Sequence, residues 1–241
     1  MQNSSVVSKK VSKQVSKIAS GISVCDGTGC TVCGQGGLSR FRIVKGREYL
    51  RCSNCEATIM AQASWLTPDE ERAIYDLHNN DSDDPGYRAF LEKLVTPLLE
   101  RVHAGALGLD FGCGPGPALA EMLRESRMDV ALYDPFYYPE QSALSRQYDF
   151  ITCTEVVEHL HRPAKVFNQL DGLLKPGGWL GIMTCFQTCD DRFDNWHYRR
   201  DPTHVVFYRE VTLAIIAGRL GWTMSVPQKD VAIFQKPAPS F

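Results

Sequence analysis

Apolar residues along this chain follow two periods. Between residues 67 and 103 they recur at helical spacing, and elsewhere they fall in short runs closed by glycine, proline or an acidic residue. Thr67-Pro68-Asp69-Glu70 is a helix start. Thr67 can cap, Pro68 takes the first helical position and Glu70 can reach back in a capping box, so a helix is expected to about His78. Asn79 to Gly86 breaks it. Residues 87–103 are expected as a second helix with Phe90, Leu91, Leu94, Leu98 and Leu99 on its apolar face and a kink at Pro97. Tyr75, His78 and Tyr87 either line a substrate mouth or only pack and cap. Residues 41–44 and 48–51 alternate as two short strands turning at Lys45-Gly46, and residues 130–133 form an apolar strand ending at Asp134. Near the end, residues 212–220 are expected as a helix stopped by Gly221, and residues 223–226 and 231–234 as a closing hairpin.

Composition narrows the class. A chain of 241 residues with 44% hydrophobic and 22% charged positions can bury the core of one medium domain plus a small appendage. No window approaches 18 uninterrupted apolar residues, which argues against a membrane span. The start lacks a compact apolar stretch followed by a small-residue cleavage site, so the expectation is a soluble, cytoplasmic protein. Nine cysteines, an odd count without an export signal, speak for metal or free thiols rather than a disulfide framework.

Charge and cysteine are unevenly placed. Residues 1–66 carry a net +6 and residues 67–241 a net −8, so the overall −2 hides two differently built regions joined near Trp65. Residues 1–24 are rich in Ser and Lys and contain no acidic residue. Val7, Val11, Ile18 and Ile22 make only a weak helical stripe there, so a flexible basic tail is expected. Residues 25–66 hold five of the nine cysteines. Cys30-x-x-Cys33 and Cys52-x-x-Cys55 are two knuckles 18 residues apart, and each can present two thiolates to one tetrahedral Zn²⁺. With the two strands between them this is a zinc-ribbon pattern; Cys25 fits neither knuckle. Period-two alternation puts Arg40 and Arg42 on one face of the first strand, and Arg47, Tyr49 and Arg51 on one face of the second. Such a face could grip phosphate and stack on a base, or simply be solvated.

The most informative stretch is Gly108-Leu-Asp110-Phe-Gly112-Cys113-Gly114-Pro-Gly116. An apolar strand runs into a turn whose glycines allow positive φ, and a helix opens near Ala118 with its amide end toward a ligand. Pro117 stands where a dinucleotide fingerprint has its third glycine, which disfavours a nicotinamide site. The stretch resembles the first motif of class I S-adenosylmethionine-dependent methyltransferases, an acidic residue two places before G-x-G-x-G. Asp134 follows Gly114 by 20 residues, where the family has a ribose-binding carboxylate. Residues 148–160 (YDFITCTEVVEHL) look like the family's fourth strand and its exit loop, and residues 173–183 (LLKPGGWLGIM) like the turn and fifth strand. The resemblance therefore implies an α/β, Rossmann-like sheet with helices on both faces over residues 67–241, preceded by the ribbon. Only 13 residues, Pro135 to Gln147, separate the second strand from the fourth, so the third strand is expected to be abbreviated.

The resemblance also implies roles. Asp110, Gly112, Cys113, Gly114, Gly116, Asp134, Pro135, Thr154 and Glu155 would bind S-adenosylmethionine, with residues 155–159 at the methyl-bearing end. Residues 193–208, aromatic and charged, resemble the segment over the active-site mouth in the branch that includes ubiquinone-biosynthesis O-methyltransferases. His159 and His204 are the candidate bases, because imidazole titrates in the useful range, and Trp196 a candidate shield of the methyl group. Each has a packing alternative. The sulfurs of Cys113, Cys153, Cys185 and Cys189 are assigned no chemistry. The preferred expectation is methyl transfer to a small-molecule acceptor. RNA methylation with the basic ribbon as the RNA contact is the alternative, and a non-catalytic donor-binding scaffold is third.

Overall fold

The computed structural model describes residues 29–77 and 81–239. The basic tail, Cys25 and His78 lie outside the described residues. The ribbon strands β1 (Leu38–Val44) and β2 (Arg47–Cys52) form a hairpin whose corner is Lys45 (φ 50°) and Gly46 (φ 80°). Two successive positive-φ residues give the tight turn that matches strand twist, as the Lys-Gly pair predicts. The short β3 (Thr58–Met60) adds to β2.

Helix α1 (Pro68–Tyr75) begins with the expected capping box: Glu70 N donates to Thr67 Oγ1, and Thr67 N donates to Glu70 Oε2 at 2.9 Å. Helix α2 spans Pro85–Leu99, starting two residues and ending four residues earlier than the periodicity predicts. Asp84 caps it, accepting from Gly86 N at 2.7 Å, with Pro85 in the first turn. Pro97 lies in its last turn, so the chain leaves the helix rather than kinking through it.

Strand β4 (Leu107–Phe111), α3 (Ala118–Glu125), β5 (Asp129–Tyr133), β6 (Tyr148–Thr154), α4 (Pro163–Leu173) and β7 (Leu174–Met183) follow. The four strands are mutually parallel. After the short α5 (His197–Arg200) and β8 (Val206–Phe207), α6 (Glu210–Leu220) ends at Gly221 in the left-handed region. The hairpin of β9 (Thr223–Gln228) and β10 (Val231–Gln235) then closes the sheet antiparallel to β7. The order is β5-β4-β6-β7-β10-β9. β5 is the sheet edge: residues 134–147 hold only a bridge between Asp134 and Tyr138 and a 3-10 turn, in agreement with the abbreviated third strand. The Lys175-Pro-Gly-Gly stretch is a large bulge within β7, since Tyr148 pairs with Leu174 while Phe150 pairs with Trp179.

One core face of the sheet is covered by α2 and α3 through Leu91, Leu94, Leu98, Leu119 and Leu123. The other is covered by α4 and α6, and the ribbon thiols with Tyr49, Ile59 and Met60 belong to that same core. The ribbon sheet gains its fourth strand from β8: Thr58 pairs with Phe207 and Ile59 with Val206.

Candidate active site and thiol cluster

The chain starts the parallel sheet at β4, moves outward to β5, then crosses to β6 on the other side of β4. That reversal opens a crevice at the carboxyl ends of β4 and β6. A cavity of about 800 Å³ occupies it, and all nine predicted donor-binding residues line it: Asp110, Gly112, Cys113, Gly114, Gly116, Asp134, Pro135, Thr154 and Glu155. Gly112 (φ 79°) donates to the Tyr133 carbonyl at 2.7 Å, and a Cβ there would lie 2.5 Å from Val156 Cγ2. Only glycine satisfies both the dihedral and the contact. Asp134, at the end of β5, accepts from Gly114 N at 3.1 Å through Oδ2 and from Phe136 N and Tyr137 N through Oδ1, tying the turn to the neighbouring strand. Asp110 is buried and accepts from Thr152 Oγ1 at 2.9 Å; burial pushes its carboxyl up to about 6.

Past β6 the chemistry changes from backbone to side chains. Glu155 sits at φ 52°, a conformation that costs about 1–3 kcal/mol for a non-glycine residue. Burial, then the charge of Glu158, pushes it up to about 9, so its carboxyl is protonated at neutral pH. Glu158 is fully buried and accepts from Tyr198 OH at 2.5 Å and Thr184 Oγ1 at 2.9 Å. His159 is lowered to about 4, chiefly by burial, and is therefore neutral. Its Nδ1 lies 3.2 Å from the Thr203 carbonyl and 3.3 Å from the Tyr75 hydroxyl, and its Nε2 lies 3.9 Å from Glu158 Oε1. His204 repeats the arrangement: Nδ1 lies 2.7 Å from the Tyr198 carbonyl, and the two imidazoles meet edge to face at 4.7 Å.

Both histidines line the cavity. One ligand atom each of Glu158, His159 and His204 lies within 4.8 Å of the others, a donor set suited to one divalent cation. Trp196 is not among the lining residues, a correction to its assignment as a methyl shield. Its ring packs against Phe193, Tyr198 and Phe207, because the extended residue at the start of α5 turns it toward the ribbon side. Tyr75 and Tyr87 do line the cavity. Sequence reasoning did not single out Glu158, Thr184 or the pair of buried Glu71 with half-buried His161, whose Oε1 and Nε2 are 3.0 Å apart. Their partners lie 14 to 90 positions away in sequence, beyond any local pattern.

The four predicted thiols converge. Sγ of Cys30 and Cys55 are 3.7 Å apart, as are those of Cys33 and Cys52, and all four lie within 4.8 Å. Thiolates on one tetrahedral Zn²⁺, each at about 2.3 Å, would stand about 3.8 Å apart, so the donor set fits that ion. Amides of Val32, Asn54 and Cys55 point at sulfur at 3.4 to 3.5 Å. Cys33 and Cys52 are held below the usual thiol range mainly by hydrogen bonding with Cys30. Sharing a proton with Cys33 raises Cys30, and sharing one with Cys30 raises Cys55.

The arginine-and-aromatic face of the ribbon is not free. A bulge between Arg40 and Arg42 shifts the register, so Arg40 sits opposite Leu50 and Arg42 opposite Tyr49, which places the two arginines on opposite faces. Tyr49 is fully buried, packed edge to face on Phe193 and Phe207, and accepts from Arg199 Nη1 at 3.3 Å. Arg51 donates to Asp190 Oδ1 at 2.7 Å, and Arg209 reaches the same oxygen. Tyr49 and Arg51, expected to stack on a base and grip phosphate, are thus packed against residues 190–207 of the larger region, which removes the stacking face behind the RNA alternative.

A family model described as a methyltransferase domain matches residues 86–225, and the chain belongs to that family. Ubiquinone biosynthesis O-methyltransferase of Serratia proteamaculans (strain 568) is 34% identical over 91 residues, 38% of each chain. The corresponding protein of Methylococcus capsulatus (strain Bath) is 31% identical over 91 residues, again 38% of each. The matches span about two fifths of these relatives' length. Among solved structures, Burkholderia thailandensis 1,6-didemethyltoxoflavin-N1-methyltransferase, bound to 1,6-didemethyltoxoflavin and S-adenosylhomocysteine, aligns with TM-score 0.51 and 16% identity. That alignment covers 82% of this chain and 99% of that one, a likeness of fold. Among the described residues no helix is long and apolar enough to cross a membrane.

Proposed function

We propose that this protein binds S-adenosylmethionine in the crevice and transfers its methyl group to a small-molecule acceptor, and that the four thiolates hold one structural Zn²⁺. One observation carries the reading: the glycine turn, Asp134 and the imidazoles of His159 and His204 line a single cavity at the carboxyl ends of β4, β5 and β6. When bound, the donor supplies a methyl group on a sulfonium, ready for in-line displacement. The chain's own residues do the rest. The 112–114 turn and Asp134 hold the donor's ribose end, while α1 with Tyr75 covers the acceptor side and limits water. Nε2 of His204 or His159 takes the proton from the attacking atom.

The charge of the cavity favours a compact acceptor. Glu71, Asp110, Asp134, Glu155 and Asp201 line it, and among the described residues no Lys or Arg does. A polyanion would find no counter-charge there. Among O, N and C acceptors, the names of the similar O-methyltransferases favour oxygen. Calorimetry with S-adenosylmethionine and S-adenosylhomocysteine tests the donor half: we expect binding, weakened about tenfold by Asp134→Ala through loss of charged hydrogen bonds. No binding to the wild type would overturn the proposal, and an unchanged affinity in the variant would mean that Asp134 is not the ribose partner.

A further inference from the structure

Val205 is held from two sides. Its carbonyl accepts from Met60 N of the ribbon at 2.8 Å, and its own N–H donates to the Glu158 carbonyl at 2.9 Å. The next two residues, β8, pair with Ile59 and Thr58 of β3. His204 immediately precedes this clamped stretch, so β3 is the outer rail of the segment that carries His204 into the cavity.

The rail itself hangs on the knuckles. Three residues before β3, the Cys55 carbonyl accepts from Thr212 Oγ1 at 2.7 Å, at the start of α6. Between the first pair of thiols, the Thr31 carbonyl accepts from Ala164 N at 3.0 Å, at the start of α4 and just past His159. Thr58 Oγ1 donates to Gln187 Oε1 at 2.7 Å. The fully buried apolar side chains of residues 29–66 are few, Val32, Tyr49, Ala57, Ile59 and Met60 around the four sulfurs, with Leu38, Phe41, Val44 and Trp65 only partly covered. With protons alone, the knuckles are joined by sulfur contacts of 3.7 Å, weak bonds for a segment of this size.

We propose that a metal ion closed by Cys30, Cys33, Cys52 and Cys55 positions His204 by way of β3 and β8, making the ribbon a support behind the acceptor end of the cavity. This rests on the metal reading above and goes beyond it. The donor end lies off this path: the 112–114 turn is tied to Tyr133 and Asp134 on the far side of β4. Metal loss should therefore loosen the acceptor end and spare donor binding.

The full chain, loaded with Co²⁺, tests the two readings separately. A thiolate-to-cobalt absorption band shows that the four sulfurs hold metal; its absence overturns this proposal without touching the donor reading. On chelation we expect amide exchange in residues 203–209 to rise about tenfold or more, while the amides of Gly112 and Gly114 and the affinity for S-adenosylhomocysteine change by about threefold at most. Unchanged protection at 203–209, or loss of protection throughout the chain, overturns the coupling while the metal reading stands. A second test keeps the metal in place. Thr212→Val removes the hydroxyl that grips Cys55, and should speed exchange of the His204 Nδ1 proton, followed by NMR, by about threefold or more; Thr212→Ser should restore it. Identical exchange in wild type and Thr212→Val overturns the proposed path.

Discussion

The two ends of the cavity are built on opposite plans. At the donor end, residues 108–116 and 134 lie within a single strand-turn-helix-strand unit, and the contacts that shape it are backbone amides, one carboxylate and a glycine dihedral. At the acceptor end, Glu158, Thr184, Tyr198 and His204 come from four separate segments, and side chains meet side chains in a buried network. A backbone cradle needs only one short stretch in the right conformation. A side-chain network needs every packed element in place, including a ribbon that lies far ahead in the chain.

The sharpest way to break this contrast is at the turn. Gly112→Val combines left-handed strain with a forced contact on Val156, together about 4 kcal/mol, divided between the melting temperature and the affinity for S-adenosylhomocysteine. If calorimetry and melting both match the wild type, the turn is not the rigid cradle described. Next in size, His204→Gln should cut turnover about a hundredfold while leaving donor affinity within about threefold. A parallel loss of donor affinity would mean that the two ends are not separable.

Titration of stability should distinguish the buried acids from the buried base. Glu155 is raised from 4.5 to about 9, so the folded state holds a proton that the unfolded chain releases, and stability falls as pH rises through that interval. His159 is lowered from 6.5 to about 4, so its contribution runs the other way: stability rises between pH 4 and 6.5 as the unfolded chain gives up its proton. The two oppose each other in the acid range, and above pH 6.5 the Glu155 slope remains. Melting temperature should therefore decline from pH 6.5 to 9, and Glu155→Gln should flatten that decline; an equal decline in the variant would remove Glu155 as its source. The smallest effect is expected at Trp196, outside the cavity lining. Trp196→Phe should leave donor affinity within about twofold, whereas a tenfold loss would restore it to the site.

How much could be read in advance follows the same division. The turn at 112–116, the carboxylate ending β5 and the short connection that leaves β5 at the sheet edge are local patterns, and each matches the structure. The two Cys-x-x-Cys knuckles are likewise local, and their convergence needs only a hairpin between them. The arginine face of β1 was misread because a single extra residue reverses every later side chain, and no composition signal marks that bulge. Trp196 was misread because an aromatic in a mouth-like segment points either way, and the choice is made by Phe193 and Phe207.

By itself the sequence determined the helix caps, the hairpin corner, the glycine cradle and the sets of residues that could share a metal or a donor, since each depends on dihedral preference and spacing over a few positions. Tertiary structure alone decided that the ribbon joins its sheet to β8 and packs Tyr49 inward. It also decided that Glu158 is buried under Tyr198 and Thr184, and that both imidazoles line one cavity. The reason is physical: burial and hydrogen-bond partnership are properties of the packed surroundings, and here those surroundings are assembled from segments distant in sequence.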